Sequence, residues 1–155
     1  MDSKVTSSTV EQTREWGKKL GERLRGGDVV TLTGDLGAGK TAFAQGVGEG
    51  LGITDPITSP TFTLIHEYIA QQEPPVRLVH MDLYRLQRPE EAEVIGVGDS
   101  FVDDAICLIE WPEIIEDYLP EDRLDVEIIG SGEQLREITF RAVDLAWELR
   151  LKDLA

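Results

Sequence analysis

Asp28-Val29-Val30-Thr31-Leu32-Thr33-Gly34-Asp35-Leu36-Gly37-Ala38-Gly39-Lys40-Thr41-Ala42-Phe43-Ala44-Gln45-Gly46-Val47 is the stretch on which the fold turns. It begins as a β-branched run suited to a buried strand and ends as a helix. Between them, Gly34 to Thr41 satisfies G-x-x-x-x-G-K-[ST]. A glycine-rich turn lets backbone N–H groups converge on phosphate oxygens with no side chain in the way, and the helix that follows aims its first N–H groups and its dipole at the same anion. The pattern points to a nucleoside-triphosphate site in which Gly34, Asp35, Leu36, Gly37, Ala38 and Gly39 supply the cradle. Lys40 reaches the β- and γ-phosphates, and the Thr41 hydroxyl ligates Mg²⁺. The competing possibility is a glycine-rich connection with an exposed lysine.

The rest of the chain fits one α/β domain over residues 1–155, long enough for a proper core and too short for two. A first helix is expected from Ser8 or Thr9, where Ser8-x-x-Glu11 and Thr9-x-x-Gln12 both have capping-box form, to Gly26-Gly27; Trp16, Leu20 and Leu24 form its apolar stripe. The helix after the glycine-rich loop should end near Gly50-Leu51-Gly52. Strands are expected from Thr61 or so through Tyr68, over Val76 to Asp82 and over Ile106 to Glu110, with a short helix start at Pro89. Leu124 to Ile129 and Glu137 to Phe140 read as an antiparallel hairpin, and a helix from about Val143 to Leu151 closes the domain.

Thirty acidic against 15 basic residues give a net charge of −15, which argues against this surface gripping a nucleic-acid backbone unaided. The lone Cys107 sits in the apolar run from Ala105 to Ile109, which suits a core role and a reducing compartment. No apolar stretch approaches the roughly 20 residues that cross a bilayer, and the polar start has no signal-peptide core, so a cytoplasmic location is expected.

Nucleotide hydrolysis needs a carboxylate at a nearby strand end as well as the loop. Glu110, led into by four apolar residues, is the stronger candidate for the metal and Asp82 the second; either could instead be a solvated strand-end acid. Ser59 and Thr61 occupy a loop that could sense the γ-phosphate in the manner of a switch, or could be an ordinary polar loop. His66 and His80 have no companion at metal-ligand spacing and read as structural; Arg85 and Arg88 read as surface charges. The chain has no asparagine, so N-K-x-D is absent, and no D-x-x-G occurs, which argues against a Ras-like GTPase. Its ten arginines are scattered, with no segment resembling the arginine-bearing lid of a small-molecule kinase. A metabolite kinase and a nucleotide-gated interaction module with negligible catalysis stand as the alternatives to an ATPase.

Gly34 to Thr41, Ser59-Pro60-Thr61-Phe62-Thr63-Leu64, His80-Met81-Asp82-Leu83-Tyr84-Arg85-Leu86 and Leu108-Ile109-Glu110-Trp111-Pro112-Glu113 together resemble the bacterial TsaE (YjeE) family, small ATPases of tRNA threonylcarbamoyladenosine modification. Met81 stands where the family has an aromatic residue, a conservative departure. The resemblance implies a P-loop NTPase fold with a mixed, mostly parallel sheet and a C-terminal antiparallel hairpin. It implies Mg²⁺-dependent ATP hydrolysis, slow alone, that supports multiple turnover by a TsaD–TsaB transferase heterodimer modifying adenosine 37 of tRNAs reading codons that start with A. The tRNA is then met only through the complex, and no membrane is involved. Carried onto this chain, Lys40 binds phosphates, Thr41 and Glu110 ligate Mg²⁺, Asp82 orders a water, and Ser59 and Thr61 form the switch-like loop. Trp111 lies beside the pocket or a partner, Thr6 to Thr9 border the adenine, and Arg136 lies near the phosphates.

Overall fold

The computed structural model describes residues 2–34, 39–55, 57, 65–70, 72, 74–130, 135–142, 144–152 and 154. The elements run β1 (Asp2–Ser7), α1 (Val10–Gly21), β2 (Val29–Gly34), α2 (Lys40–Gly50), β3 (Ile65–Ala70), β4 (Val76–Asp82), α3 (Pro89–Val94), β5 (Ala105–Glu110), β6 (Leu124–Gly130), β7 (Arg136–Ala142) and α4 (Leu145–Arg150). Short 3₁₀ turns, Val97–Ser100 and Pro112–Tyr118, flank β5.

Seven strands form one sheet in the order β1-β7-β6-β2-β5-β4-β3. The central strands β6, β2, β5 and β4 are mutually parallel, while β3, β7 and the β1–β7 pairing are antiparallel. Parallel central strands must be covered on both faces, which is why β5 is buried at all six positions and reads as an unbroken apolar run. On one face Val30, Leu32, Leu78, Ile106 and Leu108 pack against Leu20, Phe43 and Val47 of α1 and α2 and against Trp147 of α4. On the other, Val29, Val79, Met81, Cys107 and Ile109 pack against Ala92, Val97 and Ile115.

Helices α1 and α2 touch backbone to backbone. A Cβ on Gly17 would lie 2.2 Å from the Phe43 carbonyl oxygen and one on Gly46 1.9 Å from that of Arg14, so only glycine permits the approach. Helix α1 ends at Gly21 and not at Gly26-Gly27: beyond Gly21 the chain tightens into i→i−3 bonds, Arg23 N–H to Leu20 O and Leu24 N–H to Gly21 O, and Leu24 is buried in the core. Its start resolves the two capping frames in favour of Thr9, whose side chain accepts from Gln12 N–H, while Gln12 Oε1 accepts from Ser8 N–H at 2.7 Å.

Strand β1 is absent from the sequence-based expectation. Only Val5 and Ser7 of it are buried, and as an edge strand it has one partner, so it carries little apolar signal. The β6–β7 pair is the expected antiparallel hairpin, and the last helix is shorter than expected, capped by Asp144, which accepts from Trp147 N–H at 3.0 Å. No helix among the described residues is long and apolar enough to cross a membrane.

Candidate active site

The registers carry several of the sequence-selected residues to one sheet edge. Strand β2 ends at Gly34, and parallel pairing sets Asp82, the last residue of β4, beside Glu110, the last residue of β5. Lys40 opens α2 directly behind Gly39, whose φ of 105° lies in the left-handed region that favours glycine. A Cβ there would approach the Thr13 methyl at 3.4 Å. Thr13 is itself pinned by Ser7 Oγ at 2.7 Å, so the start of α1 buttresses the start of α2.

Lys40 is buried, yet its ammonium is not aimed at solvent: Nζ donates to Gly34 O at 2.9 Å and lies 4.1 Å from the centroid of the Trp111 ring. Trp111 adopts φ 56°, ψ 58°, a left-handed conformation costly for a bulky residue, and its ring sits 5.0 Å from that of Tyr84. The strained turn directly after β5 thus brings an aromatic face over the lysine. Thr41 is exposed in the first turn of α2.

Glu110 is buried, and its Oε2 lies 2.6 Å from Nε2 of the equally buried His80. Asp82 Oδ1 accepts from Tyr84 N–H at 3.1 Å. Partial burial raises the Asp82 carboxyl above its usual range. The Tyr84 bond opposes that shift, the Glu110 charge adds to it, and the charges of Lys40 and His80 oppose it.

Two strand-end carboxylates and a helix-start hydroxyl form an all-oxygen donor set of the kind Mg²⁺ takes alongside phosphates and water. Among the described residues no group of three or more His, Cys, Asp or Glu side chains is arranged to hold a metal ion.

Asp35, Leu36, Gly37 and Ala38 of the glycine-rich loop and Ser59 and Thr61 lie outside the described residues. Gly34, Gly39, Lys40, Asp82, Glu110 and Trp111 come together at the sheet edge. Arg136 starts β7 opposite Ser7 and Gly130, at the edge where β2 also ends. Thr6 and Ser7 finish β1, and Ser8 and Thr9 form the cap of α1. Three features escaped the sequence reading: the His80–Glu110 bond, the Thr13 buttress and the Tyr84–Trp111 pair. The spacing of His80 and Asp82, two apart on one strand and hence on one face, is the signal that could have linked His80 to the carboxylates.

The family model described as "Threonylcarbamoyl adenosine biosynthesis protein TsaE" matches residues 7–138. A Bacillus subtilis protein named tRNA threonylcarbamoyladenosine biosynthesis protein TsaE is 43% identical over 145 residues, covering 94% of this chain and 89% of that protein. A Treponema pallidum protein of the same name is 39% identical over 136 residues, 88% of this chain and 98% of its own length. The crystal structure of Bacillus subtilis YdiB superposes with a TM-score of 0.83 at 38% identity, covering 99% of this chain and 94% of that one. The fold is accordingly that of the P-loop NTPases, as expected, and the chain belongs to the TsaE family.

Proposed function

We propose that this protein is a Mg²⁺-dependent ATPase of tRNA threonylcarbamoyladenosine biosynthesis, which binds the TsaD–TsaB transferase heterodimer and hydrolyses ATP so that the transferase turns over repeatedly, without itself transferring the group. The observation that carries the reading is the pairing of Asp82 with Glu110 at the sheet edge where β2 hands the chain to the lysine-headed helix α2.

In this reading the Lys40 ammonium leaves Gly34 O and the Trp111 ring for the β- and γ-phosphate oxygens, while the start of α2 adds N–H donors and its dipole. The Thr41 hydroxyl and the Glu110 carboxylate would hold Mg²⁺, which neutralises charge on the phosphate oxygens when bound. Asp82, beside Glu110 and only partly desolvated, orients the attacking water. Ser59 and Thr61 complete the proposal as the segment that responds to the γ-phosphate. With a net charge of −15 the protein leaves tRNA to its partners, and it works in the cytoplasm.

Free-phosphate release from ATP, with and without the heterodimer and tRNA, tests the reading. Release stimulated by the complete mixture and accompanied by multiple-turnover tRNA modification supports it. Rapid release indifferent to the partners, or phosphate recovered on an organic acceptor, contradicts it and favours a kinase.

A further inference from the structure

The contact between His80 and Glu110 is short, buried and made by a histidine whose other nitrogen is left over. Nε2 lies 2.6 Å from Glu110 Oε2, with the two side chains 1% and 5% exposed. An ionised carboxylate only accepts, so Nε2 carries the hydrogen and donates. Nδ1 is buried and has no hydrogen-bond partner among the described residues.

A position serving packing alone would not be filled this way. Val76 and Leu78, the preceding residues on the same face of β4, are apolar members of the core, and an aliphatic side chain at position 80 would leave no polar atom unmatched. An unmatched nitrogen is tolerated where the matched one performs a task, and here the matched one grips a single oxygen of Glu110. The other oxygen, Oε1, makes no hydrogen bond to a described residue. His80 and Asp82 are two apart on β4, and Asp82 is the register partner of Glu110. The three side chains therefore share the sheet face that packs α1 and α2, the face from which Lys40 approaches.

We propose that His80 is a positioning residue: through its Nε2–H bond to Oε2 it holds the Glu110 carboxylate with Oε1 turned toward the divalent cation of the bound nucleotide. This rests on the assignment of Glu110 as a metal ligand made above. The free oxygen of a carboxylate held at its other oxygen needs no reorganisation to ligate, and removing the partner that orients a ligating group costs about 10–100-fold in metal affinity.

The test is Mn²⁺ binding, followed by electron paramagnetic resonance in the presence of ADP, on the parent protein and four variants. His80→Gln keeps an amide donor at the distance of Nε2; His80→Asn keeps polarity without the reach; His80→Leu removes the donor; Glu110→Gln removes the proposed ligand. Thermal melting and ADP affinity in EDTA report the fold and the phosphate cradle. The expected result is a Mn²⁺ affinity about 10–100-fold lower in His80→Asn and His80→Leu and within a few-fold of the parent in His80→Gln, with unchanged ADP affinity in EDTA. If His80→Leu does not fold, the Gln and Asn pair decides alone. Equal Mn²⁺ affinity in the Gln and Asn variants, or a loss matched by lost ADP affinity in EDTA, overturns the positioning role. Parent-like Mn²⁺ affinity in Glu110→Gln overturns the metal assignment beneath it, whereas loss in Glu110→Gln with none in His80→Asn removes the histidine's role only.

Discussion

The ammonium of Lys40 lies 4.1 Å from the centroid of the Trp111 ring while donating to Gly34 O, so both of its contacts are supplied by the protein itself. A cation–π contact is worth about 0.5–2 kcal/mol, small enough for phosphate to displace. Adding ATP or ADP with Mg²⁺ should therefore change the Trp111 emission. Trp111→Phe, which keeps Trp16 and Trp147, should lose that change. An equal response in the variant would show that the lysine does not leave the ring.

Gly46 and Gly98 make opposite demands on an added methyl group. At Gly46 it would lie 1.9 Å from Arg14 O, whereas at Gly98 nothing lies within 4 Å. Gly46→Ala should cost about 3 kcal/mol or more in urea unfolding, because backbone cannot yield as a side chain can. Gly98→Ala should stay within about 0.5 kcal/mol of the parent. Equal stabilities would contradict the close crossing of α1 and α2.

Much of the architecture is legible in the sequence. Strands β2, β4 and β5 announce themselves because burial on both faces demands continuous apolar runs such as Ala105 to Ile109. The hairpin of β6 and β7 shows through its alternation. What stayed hidden depends on contacts between distant residues. Strand β1 rests on pairings such as Val5 with Ile138, and the end of α1 on Gly21 meeting Val47. Within the site, Lys40, Asp82, Glu110 and Trp111 were all legible as candidates, but the bond between His80 and Glu110 joins two strands and no motif spells it out.

Asp82 sets stability against use. Burial raises its carboxyl above the usual 3.8, so the folded state disfavours the ionised form. Such a group favours the fold most below its unfolded value, and that contribution is lost as pH rises through the folded one. At neutral pH the parent therefore carries a cost that Asp82→Asn removes. In metal-free buffer the variant should be more stable than the parent at pH 7, with the gap closing below about pH 3.8. A gap that widens on acidification would contradict this sign.

Cys107 should behave as core. Its Sγ donates to Ser100 O at 3.1 Å, and burial pushes the thiol up to about 12. A thiol reagent at pH 8 should label it only as fast as the protein opens, with the rate rising in urea. Immediate labelling of the native protein would contradict its burial within β5.

In the proposed function Lys40, Asp82 and Glu110 form one site that hydrolyses ATP in support of tRNA modification. The most direct test is phosphate release by the parent and by Lys40→Ala, Asp82→Ala and Glu110→Ala, each assayed with the TsaD–TsaB heterodimer and tRNA and each shown to be folded. Turnover is expected in the parent, lost nucleotide binding or hydrolysis in Lys40→Ala, and hydrolysis lower by about 10²-fold or more in the two carboxylate variants. A folded Glu110→Ala protein that releases phosphate and sustains tRNA modification like the parent would contradict it.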